Sequence, residues 1–120
     1  MHWDQIPLNR STVEEGNNIT LQWRYSYTLG VPPSFRDATF TDLRDGEEKL
    51  IANKPRQDDL YMDPAYRDRV RIDIQDTKAS MTILTARRSD SGRYKFNVET
   101  LNNNKLGGLT SIIEISVQCK

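Results

Sequence analysis

The stretch Ala86-Arg87-Arg88-Ser89-Asp90-Ser91-Gly92-Arg93-Tyr94-Lys95-Phe96-Asn97-Val98 starts as a polar turn and passes into alternation. Tyr94, Phe96 and Val98 fall on one side and Arg93, Lys95 and Asn97 on the other, the two-residue period of a strand with one buried and one wet face. The same phase returns upstream, where Ile19, Leu21 and Trp23 alternate with Thr20 and Gln22, and Tyr25 and Tyr27 continue the apolar side.

Turn chemistry punctuates the rest. Residues Ile6 to Val13 read as an edge strand broken by Pro7, since proline removes one ladder donor. Glu14 to Asn17 is a turn, and Gly30-Val31-Pro32-Pro33-Ser34 is a break. Ala38 and Phe40 alternate toward the core. Arg44-Asp45-Gly46-Glu47 signals a hairpin. Lys49 to Ala52 predicts the next strand, ended by Pro55, and Leu60-Tyr61-Met62 a short one before an Asp63-Pro64 turn. Asp76 to Ala79 is a further turn, and Leu101 to Gly108, rich in Asn and Gly, is a loop.

Asp90, Gly92 and Tyr94 at two-residue steps closely resemble the turn into strand F of an immunoglobulin-type sandwich, where a Tyr lies two residues before the second core Cys. Phe96 stands at that Cys position and Trp23 at the first. Arg69 to Ile74 resembles strand D, Ser80 to Ile83 strand E, and Gly107 to Val117 strand G, so the resemblance covers nearly the whole chain. The interval between Trp23 and Phe96 has room for strands C, C′, C″, D and E. The fold expected is therefore all-β, an immunoglobulin-like variable-type Greek-key β-sandwich lacking the core disulfide, with residues 1–120 as one domain. Losing such a disulfide costs ~2–5 kcal/mol. Trp23 and Phe96 are expected to meet where the sulfurs would have been, with Phe40 in place of the usual strand-C Trp. Aromatics bury ~150–250 Å² each, which offsets the loss. The resemblance also implies a bidentate salt bridge between Arg69 and Asp90, and a hydrogen bond from Tyr94 to the backbone just upstream.

Lys and Arg total 17, as do Asp and Glu, so the formal charge is zero. That argues against nucleic acid and membrane surfaces as partners, which call for clustered basic excess. No apolar run approaches the ~20 residues that span a bilayer, and no signal-peptide pattern appears. Met1 reads as an expression start, which makes the chain an expected N-terminal ectodomain piece of a longer membrane receptor. The one cysteine, Cys119, cannot bridge internally, and a disulfide to a downstream domain is expected for it.

Catalytic chemistry is not expected. The single His, His2, lies near a terminus expected to fray, and hydrolase triads and zinc sites lack their parts. Asp58, Asp59 and Asp63 lack calcium-loop spacing, and with Glu14-Glu15 and Glu47-Glu48 they read as solvated turn carboxylates. No cofactor, metal or small-molecule substrate is implied.

Asn9-Arg10-Ser11 and Asn18-Ile19-Thr20 are N-glycosylation sequons, which favour the extracellular side. A domain of this type without a reaction centre is expected to recognise protein. The candidate partner-binding residues are Arg44, Lys49, Arg56, Tyr61, Asn102, Asn103, Asn104 and Lys105. Disulfide-free variable-like sandwiches with Trp23 and Phe96 at the Cys positions, the Asp90-Ser91-Gly92-Arg93-Tyr94 turn and a Cys near the domain end resemble the membrane-distal domains of cnidarian allorecognition receptors. That resemblance implies homophilic binding between opposing cells and self/non-self discrimination, with attachment to the membrane through a segment absent from this chain. Two other readings stay open: a heterophilic immune or adhesion receptor, and an intracellular structural module, where a reducing compartment gives no use for a core disulfide.

Overall fold

A computed structural model describes residues 1–27, 37–56, 58–102 and 105–119, with 101, 102 and 105–107 described by backbone alone. The expected break at Gly30 to Ser34 lies outside the described residues. Ten strands run in chain order: β1 His2–Gln5, β2 Arg10–Glu14, β3 Ile19–Ser26, β4 Asp37–Asp42, β5 Lys49–Pro55, β6 Tyr61–Met62, β7 Val70–Ile74, β8 Lys78–Ile83, β9 Gly92–Asn102 and β10 Lys105–Gln118. They form a four-stranded sheet, β1-β3-β8-β7, facing a six-stranded sheet, β2-β10-β9-β4-β5-β6.

Three expectations need correction. The strand expected over Ile6 to Val13 begins only at Arg10, as β2, and a separate strand, β1, precedes it in the other sheet. β1 pairs antiparallel with β3, then the chain crosses, and β2 pairs parallel with β10. Pro7, lacking an N–H, falls in the crossover, where no ladder needs one. His2 is consequently not at a frayed end but paired with Ser26. Second, the expected turn over Asp76 to Ala79 is shorter, because Lys78 and Ala79 already pair with Arg24 and Trp23.

Third, Leu101 to Gly108 is mostly ladder. β9 and β10 pair without a register shift from Gly92↔Ile115 out to Asn102↔Lys105. The Asn and Gly content that reads as loop includes Gly108, whose role is steric: a Cβ there would sit 2.8 Å from the Val98 carbonyl oxygen. Its missing side chain lets the two backbones close.

Alternation supplies the core. Leu21, Trp23, Tyr25, Ala79, Met81 and Ile83 bury from one sheet, and Ala38, Phe40, Tyr94, Phe96, Val98, Ile113 and Ile115 from the other. Trp23, paired with Ala79, and Phe96, paired with Phe40, therefore face each other across the interior. Their ring centroids are 5.3 Å apart. Phe96 also stacks on Phe40 at 4.6 Å and contacts Tyr25 and Trp3, each at 6.1 Å. Trp23 meets Phe40 edge-on at 5.4 Å. The rings form one cluster centred on Phe96, at separations where aromatic pairs attract. Among the described residues, the Trp23 indole N–H is the buried side-chain polar group without a partner. Cys119 is exposed and unbridged.

Candidate recognition face

With Phe96 and Val98 turned inward, Lys95, Asn97 and Glu99 stand on the outer face of the six-stranded sheet. The registers align side chains into rows across strands. One row reads Leu50, Thr41, Lys95, Ile112. The next reads Tyr61, Asn53, Thr39, Asn97, Thr110. Leu50, Tyr61 and Ile112 are 39%, 47% and 47% exposed. The second row carries no charge and is held by side-chain bonds: Asn53 Nδ2 donates to Thr39 Oγ1 at 2.9 Å and to Asp37 Oδ1 at 2.6 Å, and Asn97 Nδ2 donates to Thr110 Oγ1 at 2.7 Å. A flat, preorganised surface with apolar groups at its margins can take up another surface at little ordering cost.

The expected contact residues divide. Tyr61 lies on this face. Lys49 is exposed on β5 and bonds Asp45 at 2.7 Å, a hydrogen bond that raises its pKa. Arg56 is exposed just beyond β5. Asn102 and Lys105 pair at the far end of the β9–β10 hairpin, and Asn103 and Asn104 lie outside the described residues. Leu50 and Ile112 were not among the expected residues. Their signal was adjacency: in Leu50-Ile51 and Ile112-Ile113, one of two neighbouring apolar residues in a strand must face outward.

Arg44 is a correction, since it is committed inside the molecule. Its Nε and Nη2 grip the Asp42 carboxylate at 2.7–3.0 Å, and its Nη1 donates to the Ser89 carbonyl at 2.9 Å and reaches Asp90 Oδ1 at 3.4 Å. Gly92 makes room for it, because a Cβ there would lie 2.7 Å from Arg44 Cγ. Beside it, Arg69 holds Asp90 by two parallel bonds, Nη1 to Oδ1 at 2.9 Å and Nη2 to Oδ2 at 2.6 Å. Tyr66 donates to Asp42 Oδ2 at 2.7 Å, and Tyr94 to the Asp90 carbonyl at 2.6 Å.

Burial alone would raise the pKa of both carboxyls. For Asp90, the Arg69 side chain and the Arg87 backbone N–H outweigh burial and hold it below the ordinary carboxylate value. For Asp42, Arg44 and Tyr66 do the same. Burial, then the Asp42 hydrogen bond, pushes the Tyr66 phenol up to about 12. A shallow crevice opens here between Tyr66, Arg69 and Tyr94. Its two arginines are engaged by Asp42 and Asp90, which makes this cluster a structural clamp.

Both sequon asparagines are exposed and lie off the rows. Asn9 sits in the crossover, its carbonyl accepting the Glu114 N–H at 2.8 Å. Asn18 precedes β3, and its Oδ1 accepts the Thr85 N–H at 2.9 Å, which leaves Nδ2 unused.

No protein-family model matches the chain, and no curated protein matches it in sequence. Solved structures do match. Murine CRIg superposes with a TM-score of 0.82 at 16% identity, over 98% of this chain and 99% of that one. A chain from a structure concerned with T cell specificity and activation by the bacterial superantigen toxic shock syndrome toxin-1 gives 0.73 at 14% identity, over 92% and 93%. At such identities the likeness speaks to architecture and not to activity. Sheet order, registers and superposition together make this chain an immunoglobulin-like, variable-type β-sandwich in which an aromatic cluster occupies the place of the core disulfide.

Proposed function

We propose that this chain is an extracellular recognition domain of a membrane receptor, binding protein through the outer face of its six-stranded sheet. The partner is a second copy on an opposing cell, as the allorecognition resemblance implies, and the outcome is discrimination of self from non-self. The observation that carries the reading is the pair of aligned rows, with Leu50 and Ile112 partly exposed at the ends of one and Tyr61 at the end of the other, which is uncharged. Isolated exposed apolar residues are ordinary, so what supports the reading is that these three share one sheet face beside an uncharged row. The two exposed sequons support the cell surface, and neither asparagine belongs to the two rows. Zero net charge suits self-contact, because long-range repulsion between copies is absent.

The test is aggregation of cells that display the domain, mixed with differently labelled cells that lack it. Displaying cells should cluster among themselves and exclude the others. Dispersed cells, or clusters of mixed composition, would reject self-binding and point to a different partner.

A further inference from the structure

Along β9 itself the outer face is electrically lopsided, although Glu114 stands in register with Arg93 and Arg56 follows Pro55, the partner of Asp37. Lys95 bonds Glu48 at 2.6 Å, and Arg10 bonds Glu114 at 3.0 Å. These pairs compensate one another. Arg93, exposed, is left at one end of β9, and Glu99, half-buried, at the other; neither side chain has an ion pair or hydrogen bond among the described residues. Asp37, in register with Glu99, adds a second negative charge at that end, where it accepts from Asn53. Between them lies the uncharged row through Asn97. At ~3.3 Å per residue, Arg93 and Glu99 stand about 20 Å apart on one face of one strand.

This inference rests on the self-binding reading and adds its geometry. We propose that two copies meet face to face about a two-fold axis lying in the interface and running across the strands, so that Arg93 of each copy faces Glu99 of the other. The axis crosses β9 at the level of Phe96. The row of Leu50, Lys95 and Ile112 then lies over the other copy's row of Tyr61, Asn53, Asn97 and Thr110. An axis running along the strands would instead set Arg93 against Arg93 and Glu99 against Glu99. A two-fold contact uses the same patch twice, so each favourable pair counts double and so does each clash. Five strands ~4.8 Å apart and four rows along them give a contact of about 20 by 20 Å, or ~800 Å² over both copies, below the ~1,200–2,000 Å² of standard specific interfaces and in the size range of transient contacts. Binding is therefore weak per molecule, with the charges fixing orientation and partner choice more than affinity. The two copies run antiparallel, which suits chains projecting from opposing surfaces.

The test uses beads coated with the intact chain. Wild-type beads should cluster. Arg93→Glu alone and Glu99→Lys alone should each weaken clustering by ~10-fold or more, since each sets like charges face to face. The double variant R93E/E99K should cluster again, because the exchanged charges are once more opposite in sign across the axis, and it should not mix with wild-type beads. Recovery in the double variant also shows that the single losses are not unfolding; Arg93→Ala, a gentler change, should give an intermediate loss. Wild-type clustering that is indifferent to the single changes, or that the double variant does not recover, would overturn this geometry while leaving self-binding intact. Wild-type beads that stay dispersed at high coating density would overturn self-binding itself, and the geometry with it.

Discussion

The Trp23 indole and the Phe96 phenyl ring reach across from opposite sheets to a centroid separation of 5.3 Å, both essentially without solvent contact. This contact joins the layers of a sandwich that has no sulfur bridge. Trp23→Ala should cost ~3–5 kcal/mol, the range for removing a large buried aromatic. Trp23→Phe should cost distinctly less. It keeps a ring against Phe96 and deletes an N–H buried without a partner, a group whose desolvation runs against stability by ~1–3 kcal/mol. Urea denaturation of the two variants checks the order; equal losses would show that the ring contact contributes little.

The clamp predicts acid sensitivity. Asp42 and Asp90 both bind protons more weakly in the folded chain than when unfolded. The unfolded state takes up protons first as pH falls, so the stabilisation is complete above the ordinary carboxylate pKa of ~3.9 and is lost as pH drops through the lower folded values. Thermal melts between pH 7 and pH 2 should show midpoints falling below about pH 4, with a shallower fall in Asp90→Asn.

Arg69→Ala removes both bonds to a carboxylate that is 4% exposed. Breaking a buried pair costs ~3–5 kcal/mol, and the lower end applies because the guanidinium is 27% exposed. Arg44, at 3.4 Å from the same carboxylate, softens the loss without replacing the two shorter bonds. Chemical denaturation measures it, and a loss below that of an ordinary surface substitution would refute the clamp.

Gly92 has φ +143°, and a Cβ there would press on Arg44 at 2.7 Å. Gly92→Ala should therefore combine backbone strain of ~1–3 kcal/mol with displacement of Arg44 from Asp42. The acid profile separates the two effects. Simple strain lowers the melting temperature by a similar amount at every pH, whereas a displaced Arg44 no longer holds the Asp42 carboxyl down and makes the fall below about pH 4 shallower.

Expression in a eukaryotic secretory host should give carbohydrate at Asn9 and Asn18, resolved by peptide mass spectrometry. Both sites empty in secreted protein would remove the sequons' support for the cell surface.

The strands that bury one face were legible from the chain alone. The alternation in Leu21 to Tyr25 and in Tyr94 to Val98 is a local property, and the apolar residues of that alternation are those the sandwich buries. The Arg44 clamp was not legible. Its partners Asp42, Tyr66, Ser89 and Asp90 come from three separate segments, and nothing local distinguishes Arg44 from a turn arginine. The β9–β10 hairpin was misread because Asn and Gly favour loops on average, while Gly108 serves close backbone approach instead. The apolar rim of the candidate face was not legible because Leu50 and Ile112 each adjoin a buried isoleucine, and adjacency alone does not say which of the two turns outward.

The parallel pairing of β2 with β10 bears on how the domain carries load. Five consecutive registers, Arg10↔Glu114 to Glu14↔Gln118, join the first and last strands of the larger sheet. Tension entering ahead of β2 and leaving after β10 pulls these strands lengthwise past each other, so their rungs must yield together and not one by one.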